Sequence, residues 1–313
     1  AEDLHDQTSG DSDVVLSVAL TQDAGILVIG MHSGRLIAWD CDAREVIFES
    51  RTGTGERGYV NTVDVTGDGR LIAAGDSDGG LKLWNRSGEL VREFKGHSTD
   101  SIAHVRFSPD EMQLASACSD HSVSLWNVDT GENTSTLTGH TNFATCLDWS
   151  PDGQSIAGGA YNEQIRIWDA VTGDVKHVLS GHRGSVNDVK YSHDGHTLPS
   201  RAADVGIRLW DAPNGTLLRT IRGNTDDIFS VDWSADGSRI LSSSSDGSTR
   251  IWNLASFPES AVLDSQTPMT PAVVFSQDGS KFATVCRNGP ILIRESISGN
   301  VSQAIGGGLG YVT

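Results

Sequence analysis

The chain has 313 residues, 37% of them hydrophobic, which is enough to bury the core of one compact domain. It contains no apolar run of about 18 residues and begins with neither a basic nor an apolar segment, so we expect no membrane span and no signal peptide. The net charge of -18 argues against binding to the nucleic-acid backbone, because neutralising phosphates requires a basic surface.

From the N-terminus, residues 1–13 are a predicted arm, and a repeating pattern follows from residue 14. Its marker is a dipeptide at the end of a predicted strand. The seven copies are Trp39-Asp40, Trp84-Asn85, Trp126-Asn127, Trp168-Asp169, Trp210-Asp211, Trp252-Asn253 and the degenerate Arg294-Glu295. The first spacing is 45 residues and the next five are 42. Such a period is typical of propeller blades, so the sequence predicts an all-β, seven-bladed β-propeller of four-stranded antiparallel blades.

The fourth unit shows the strands of one blade in order. ATCLDW at 144–149 alternates between apolar and polar residues, and SPDG at 150–153 has turn residues. QSIAGGA, IRIWDA and VKHVLS then supply the second, third and fourth strands. No unit shows sustained helical periodicity, which favours the all-β prediction.

Two further features recur with the same period. Gly-His pairs occur at Gly96-His97, Gly139-His140 and Gly181-His182, with Gly223-Asn224 in the sixth unit. Six residues before each tryptophan there is an acidic residue or a replacement for it, namely Ser33, Asp78, Asp120, Asn162, Asp204 and Asp246. On these residues the chain resembles WD-repeat β-propellers over residues 14–305.

The resemblance implies a buried hydrogen-bond network in the regular blades, joining the His and Asp to a strand Ser or Thr and to the Trp indole. The residues it assigns to this structural role are His97, Asp120, Trp126, His140, Trp168, His182, Asp204, Trp210, Asp246 and Trp252. A buried carboxylate is tolerated only when its lone pairs are satisfied. We therefore expect looser blades where Asn162 or Asn224 replaces the usual residue.

The ends of the repeat leave ring closure open. Residues 301–305 match the fourth strand of the fifth unit in register, whereas DLHDQT at 3–8 aligns with the same strand by offset. Both segments cannot occupy one sheet edge. We favour 301–305 because it alternates better, which makes 14–305 the propeller and 306–313 a tail.

Two motifs suggest chemistry but have simpler readings. Residues 75–79 fit a G-x-S-x-G nucleophile elbow and residues 53–58 fit G-x-G-x-x-G, yet each precedes a predicted strand where the motif needs a helix. The four cysteines lack C-x-x-C spacing, and the histidines follow the repeat. We predict no catalytic residue, no metal, no cofactor, and free thiols in a reducing, cytoplasmic compartment.

Partner binding is expected at one mouth of the central channel, which we call the top face. There the loops before each first strand meet the loops between second and third strands, and loops on a rigid frame carry binding residues. Exposed aromatic and arginine side chains are common interface anchors. The predicted partner-binding patch is Tyr59, Phe143, Tyr161, Asp227, Met269 and Arg287. The alternative is that Phe143 and Tyr161 only pack between loops.

The resemblance implies a non-catalytic scaffold or sensor domain that binds a protein or peptide at the top face. We expect no nucleic-acid or membrane partner, and a monomer as an isolated domain. One alternative is the C-terminal regulatory propeller of a larger bacterial signalling NTPase or kinase. A weaker one is an enzyme with its site at the channel mouth, which would need converging His, Asp or Glu side chains there.

Overall fold

The computed structural model describes residues 14–52, 58–97, 100–204, 206–234, 236–254, 260–263, 272–276, 280–285, 290–296 and 298–307. These residues form seven antiparallel four-stranded sheets and no helix. The prediction of an all-β propeller with seven four-stranded blades is therefore confirmed. Since no helix occurs among the described residues, none there is long and apolar enough to cross a bilayer.

Each blade is built from consecutive strands in the order first, second, third, fourth. Blade 1 contains β1 (Val15–Leu20), β2 (Ile26–Met31), β3 (Arg35–Asp40) and β4 (Glu45–Arg51). Blade 2 contains β5 (Val60–Val65), β6 (Leu71–Asp76), β7 (Leu81–Asn85) and β8 (Leu90–Phe94). Blade 3 contains β9 (Ile102–Phe107), β10 (Gln113–Cys118), β11 (Val123–Asn127) and β12 (Asn133–Leu137). Blade 4 contains β13 (Ala144–Trp149), β14 (Ser155–Ala160), β15 (Gln164–Asp169) and β16 (Val175–Ser180).

The remaining blades repeat this order. Blade 5 contains β17 (Val186–Val189), β18 (Thr197–Ala202), β19 (Ile207–Asp211) and β20 (Thr216–Ile221). Blade 6 contains β21 (Ile228–Trp233), β22 (Arg239–Ser244), β23 (Thr249–Asn253) and β24 (Ser260–Leu263). Blade 7 contains β25 (Ala272–Phe275), β26 (Lys281–Val285), β27 (Pro290–Glu295) and β28 (Val301–Gly307).

The turn between the first and second strands is held by its own side chains. In blade 4, the Ser150 hydroxyl donates to Asp152 Oδ1 at 2.6 Å and accepts from the Ser155 amide at 2.8 Å. Gly153 has φ +70°, which glycine adopts without steric penalty. The S-x-D-G signal in the sequence therefore marks a turn stabilised by side-chain to backbone bonds.

The hydrophobic core lies between the blades. Seven clusters of buried side chains occur in the described residues, one between each pair of neighbouring blades, including blades 7 and 1. Trp84, Trp126, Trp168 and Trp252 are among the largest fully buried side chains. Each large apolar side chain buried in this way contributes about 1.5–3 kcal/mol to folding.

In the described residues, blade 7 takes its fourth strand from the C-terminal end of the repeat. β28 pairs with β27 in antiparallel register, so residues 301–307 form the fourth strand of blade 7, as the better alternation of this segment predicted. Leu27 and Ile29 of blade 1 pack with Ala283 and the half-buried Val274 of blade 7. The domain boundaries stay a prediction, since residues 1–13 and 308–313 lie outside the described residues.

Candidate functional site

The loops of the top face share one backbone contact. In each case the residue before the tight turn donates its amide to the carbonyl of the loop residue before the first strand. The pairs are Ser77 to Tyr59 (3.0 Å), Ser119 to Ser101 (3.0 Å), Tyr161 to Phe143 (3.0 Å), Ala203 to Ser185 (3.1 Å) and Ser245 to Asp227 (2.8 Å). Positions that the sequence period makes equivalent are thus equivalent in space, although their side chains differ.

Three aromatic rings meet on the top face of blades 3 and 4. Phe143 and Tyr161 are 42% and 48% exposed, and their ring centroids lie 5.7 Å apart. The exposed His121 ring lies 5.6 Å from that of Phe143. We call these three residues the aromatic cluster. They pack on one another without entering the core, which leaves an exposed apolar surface on a rigid frame.

Two turn residues in or beside this cluster have a strained backbone conformation. His121 and Glu163 have φ of +75° and +65°, a region that is unfavourable for residues with a side chain. Glycine occupies the equivalent place in other blades, as at Gly34, Gly79 and Gly247. A left-handed non-glycine residue costs about 1–2 kcal/mol, and such strain collects at functional sites. The sequence signal was the replacement of glycine at this turn position in three adjacent units, by His121, Glu163 and Val205.

The other predicted patch residues are dispersed. Tyr59 is half-buried and stacks on His32, with ring centroids 3.8 Å apart. Asp227 is exposed, and its amide donates to the side chain of Asp226 at 2.8 Å. Met269 and Arg287 lie outside the described residues. The structure therefore brings Phe143 and Tyr161 together, with Tyr59 in a separate ring pair.

The buried network is complete in blade 3. His97 Nδ1 lies 2.9 Å from Asp120 Oδ2, and His97 Nε2 lies 2.6 Å from Ser116 Oγ. The Trp126 indole donates to the same hydroxyl at 2.7 Å. The network thus ties the loop, the tight turn and two strands of the blade together. The serine of this network is Ser116, which the sequence analysis did not assign.

Blade 5 contains the same network with an added cation. His182 bonds to Asp204 at 3.2 Å and to Ser200 at 2.7 Å, and Trp210 donates to Ser200 at 2.8 Å. Arg208 Nη1 lies 2.6 Å from Asp204 Oδ2 and also contacts the His182 ring. Burial, together with the charge of Arg208, lowers the pKa of His182 to about 4.

Blade 6 keeps part of the network. The Trp252 indole donates to Ser242 at 2.9 Å, and Asp246 accepts from the Thr225 and Ser248 amides at 2.9 and 2.8 Å. Asn224 Nδ2 donates to the Ser248 hydroxyl at 3.2 Å, but its Oδ1 is buried without a partner. The amide replaces only some of the bonds that an imidazole makes in blades 3 and 5.

Blade 4 holds His140 and Trp168 differently from blades 3 and 5. His140 is buried, and its ring nitrogens lie near Asn162 and the Gly158 backbone without a well-aligned hydrogen bond to either. Gly158 stands where blades 3 and 5 have Ser116 and Ser200, so the linking hydroxyl is absent. Trp168 instead donates to the carbonyl of Thr138 at 3.1 Å. Burial lowers the pKa of His140 to about 4.

Replacement of Ser116 by alanine is expected to lower the free energy of unfolding by about 1–3 kcal/mol, because His97 and Trp126 each lose a buried partner. Chemical denaturation measures the change. Thr136→Ala, on the outer strand β12, is the matched control and should change stability by less than about 0.5 kcal/mol. Equal losses in the two variants would contradict a structural role for the network.

A family profile described as "WD domain, G-beta repeat" matches residues 49–85, 88–127, 131–169, 173–205 and 215–253, together more than half of the chain. The chain belongs to the WD-repeat family. The matches cover the middle of the propeller, where the dipeptide and the Gly-His pairs are most regular. The first and seventh units depart most from the family pattern.

Relatives match over short segments of this WD-repeat chain. Echinoderm microtubule-associated protein-like 4 of Xenopus laevis is 28% identical over 112 residues, covering 34% of this chain and 12% of that protein. MST50-interacting protein 11 of Pyricularia oryzae is 36% identical over 63 residues, covering 20% of each. The chain therefore spans a fifth or less of the length of these relatives.

The first strands of the WD-repeat propeller are joined by side chains around the central channel. Each bond runs from an acceptor side chain in one blade to a backbone amide in the next. The pairs are Ser17 with Val63 (3.1 Å), Thr62 with Val105 (3.1 Å), Asp64 with Phe107 (2.7 Å), Asp148 with Tyr191 (2.7 Å), Asp188 with Val231 (3.1 Å) and Asp232 with Phe275 (2.7 Å). These bonds link blades independently of the apolar core.

Charges alternate on the same strands of the propeller. Arg106 pairs with Asp64 at 3.0 Å, and Lys190 lies 3.5 Å from Asp148. Burial raises the pKa of Asp232. A cavity of about 440 Å³ opens at the end of the channel opposite the top face, beside Lys190 and Tyr191. The carboxylates here already accept bonds from backbone amides or cations, which is a structural use.

One group of side chains has the composition of a metal site. Ligand atoms of His97, Cys118 and Asp120 lie within 4.8 Å of one another. Burial raises the pKa of the Cys118 thiol to about 12, which opposes the thiolate that a metal needs. His97 and Asp120 already bond to each other in the blade 3 network. These residues therefore fit a structural role better than metal binding.

Proposed function

We propose that the chain is a non-catalytic interaction module that binds a protein or peptide on the top face of blades 3 and 4. The observation that carries this proposal is the exposed aromatic cluster beside two strained left-handed residues. Rigid aromatic side chains provide large contact areas at low entropic cost. Membership of the WD-repeat family supports the proposal. One relative, MST50-interacting protein 11, is itself named for an interaction with another protein.

A peptide library offers a direct test. Peptides selected on the intact chain are counter-selected on the double variant Phe143→Ala/Tyr161→Ala. We expect selected peptides to lose affinity by roughly tenfold or more in the double variant, because truncating aromatic anchors costs about 2 kcal/mol or more. The measurement is the dissociation constant by calorimetry, together with the melting temperature of each variant.

The matched control is Val175→Ala/Val178→Ala. These side chains are similarly exposed, at 42% and 43%, but lie on the outer strand β16. The control should bind the selected peptides like the unchanged chain. If both double variants bind equally, or if the aromatic variant loses its folded transition, the proposed binding surface is wrong.

A further inference from the structure

Blade 4 lacks a carboxylate at the place where blade 5 has one. Asp204 of blade 5 corresponds to Asn162 of blade 4, and Arg208 corresponds to Arg166. In blade 5 the guanidinium and carboxylate are 2.6 Å apart. In blade 4 the guanidinium is kept but its acid is replaced by a neutral amide. Asn162 donates to the exposed Thr141 hydroxyl at 3.3 Å and accepts from the Gln164 amide at 3.4 Å.

The Arg166 guanidinium is left without a counter-charge. Its Nη2 approaches Gln164 Oε1 at 3.4 Å, and its Nε is buried without a partner. Among the ion pairs of the described residues, none includes Arg166. Gly139 lies directly against the guanidinium, since a Cβ placed there would be 3.2 Å from Cζ. The exposed glycine has no side chain to cover the charge.

His140 adds a second group that is poorly satisfied. The residue is only 7% exposed, and its ring nitrogens lie near the Asn162 side chain and the Gly158 backbone without forming a well-aligned hydrogen bond to either. Burial and the neighbouring Arg166 keep the pKa of His140 near 4, so the ring is neutral at pH 7 and carries one N–H. A buried donor without a well-formed hydrogen bond is costly. An incoming acceptor would satisfy both this N–H and the guanidinium.

We propose that Arg166 and His140 receive the carboxylate of an Asp or Glu side chain from the partner, which replaces the acid that blade 4 lacks. The inference rests on the proposed function and specifies its chemistry. Tyr161 immediately precedes Asn162 and contacts Phe143, so the acidic residue would lie next to an apolar residue on the aromatic cluster. Guanidinium–carboxylate pairs are strong and directional.

The first test uses acetate as the probe, with inorganic phosphate in a parallel titration. Ring signals of His140, labelled with ¹⁵N, are followed by NMR at pH 7. We expect acetate to shift them saturably in the intact chain. In Arg166→Gln the acetate affinity should fall roughly tenfold or more, because the charge is removed. Saturable binding of phosphate without acetate, or binding of neither ion, would overturn the carboxylate assignment.

The second test restores the missing acid. Asn162→Asp places in blade 4 the residue that blades 3, 5 and 6 already have, so the variant is expected to fold. Its new carboxylate should pair with Arg166, abolish the acetate response and lower the affinity of the selected peptides roughly tenfold or more. Asn133→Asp adds the same charge on the outer strand β12 and should leave both readouts unchanged.

The outcomes separate this inference from the proposed function. Peptides that depend on Phe143 and Tyr161 but bind Asn162→Asp as tightly as the unchanged chain would overturn the carboxylate inference alone. If no selected peptide depends on the aromatic cluster, the proposed function fails. The acetate titration still decides whether Arg166 and His140 form an anion site.

Discussion

Acidification from pH 6.5 to pH 4 is expected to lower the free energy of unfolding by about 3 kcal/mol for each of His140 and His182. Burial lowers the pKa of both to about 4. The unfolded chain therefore takes up protons on these groups near pH 6.5, while the folded chain resists until pH 4. The contribution of the two neutral imidazole rings to the free energy of unfolding is fully present above pH 6.5. It is lost as the pH falls from 6.5 to 4.

The variant His140→Leu isolates the contribution of His140 to this pH dependence. Since neither ring nitrogen of His140 has a well-aligned hydrogen bond, an apolar side chain should leave stability at pH 7 within about 1.5 kcal/mol of the original. Between pH 6.5 and pH 4 it should lose about 3 kcal/mol less than the unchanged chain. Denaturant unfolding at several pH values measures both quantities.

The comparison between variants is necessary because buried carboxylates act in the opposite direction. Burial raises the pKa of Asp188 and Asp232, so acidification favours the folded state through these groups. Their contribution is common to both proteins and cancels in the difference. Identical pH dependence in His140→Leu and the unchanged chain would contradict the neutral state assigned to His140.

Replacement of Arg201 by methionine is expected to lower the free energy of unfolding by about 1–3 kcal/mol, because it removes two hydrogen-bond donors and one partner of a partly buried ion pair. Arg201 Nε lies 4.0 Å from Asp188 Oδ2. Its Nη1 and Nη2 donate to the carbonyls of Ile228 and Asn187 at 2.7 and 3.1 Å. The variant would remove the cation nearest to the Asp188 carboxylate and one donor from each of the two carbonyls, between blades 5 and 6.

A double variant distinguishes the ion pair from simple loss of packing. Arg201→Met/Asp188→Asn removes the isolated charge and should recover part of the stability lost in Arg201→Met. Arg222→Met, at an exposed position after β20, is the control and should change stability by less than about 0.5 kcal/mol. The prediction fails if the double variant is less stable than Arg201→Met.

The repeat period determined most of the fold in advance. Spacings of 42 residues between tryptophans indicated the number and length of the blades, and strand alternation placed the closing strand at 301–305, where the structure has a strand over 301–307. The bonds between first strands were not predictable in the same way. They depend on which residue at each position, such as Asp64 or Thr62, can reach an amide of the next blade.

The candidate site was only partly visible in the sequence. Phe143 and Tyr161 were found because they are aromatic residues at periodic loop positions. The charge on Arg166 was missed, since it becomes unusual only by comparison with the Arg208–Asp204 pair in space. The sequence does show Gly158 where the other blades have Ser116 and Ser200, and this difference indicates that His140 lacks the linking hydroxyl.

Each blade is assembled from four consecutive strands, and in the described part of the chain blades 7 and 1 meet through packed side chains. The chain could therefore start at a different blade without changing the order of the blades around the ring. A circular permutant that begins at β5 and ends at β4, with the present ends joined by a linker, retains all seven sheets intact. In this propeller, the first and last blades are held together by a cluster of buried apolar side chains, as the other neighbouring blades are.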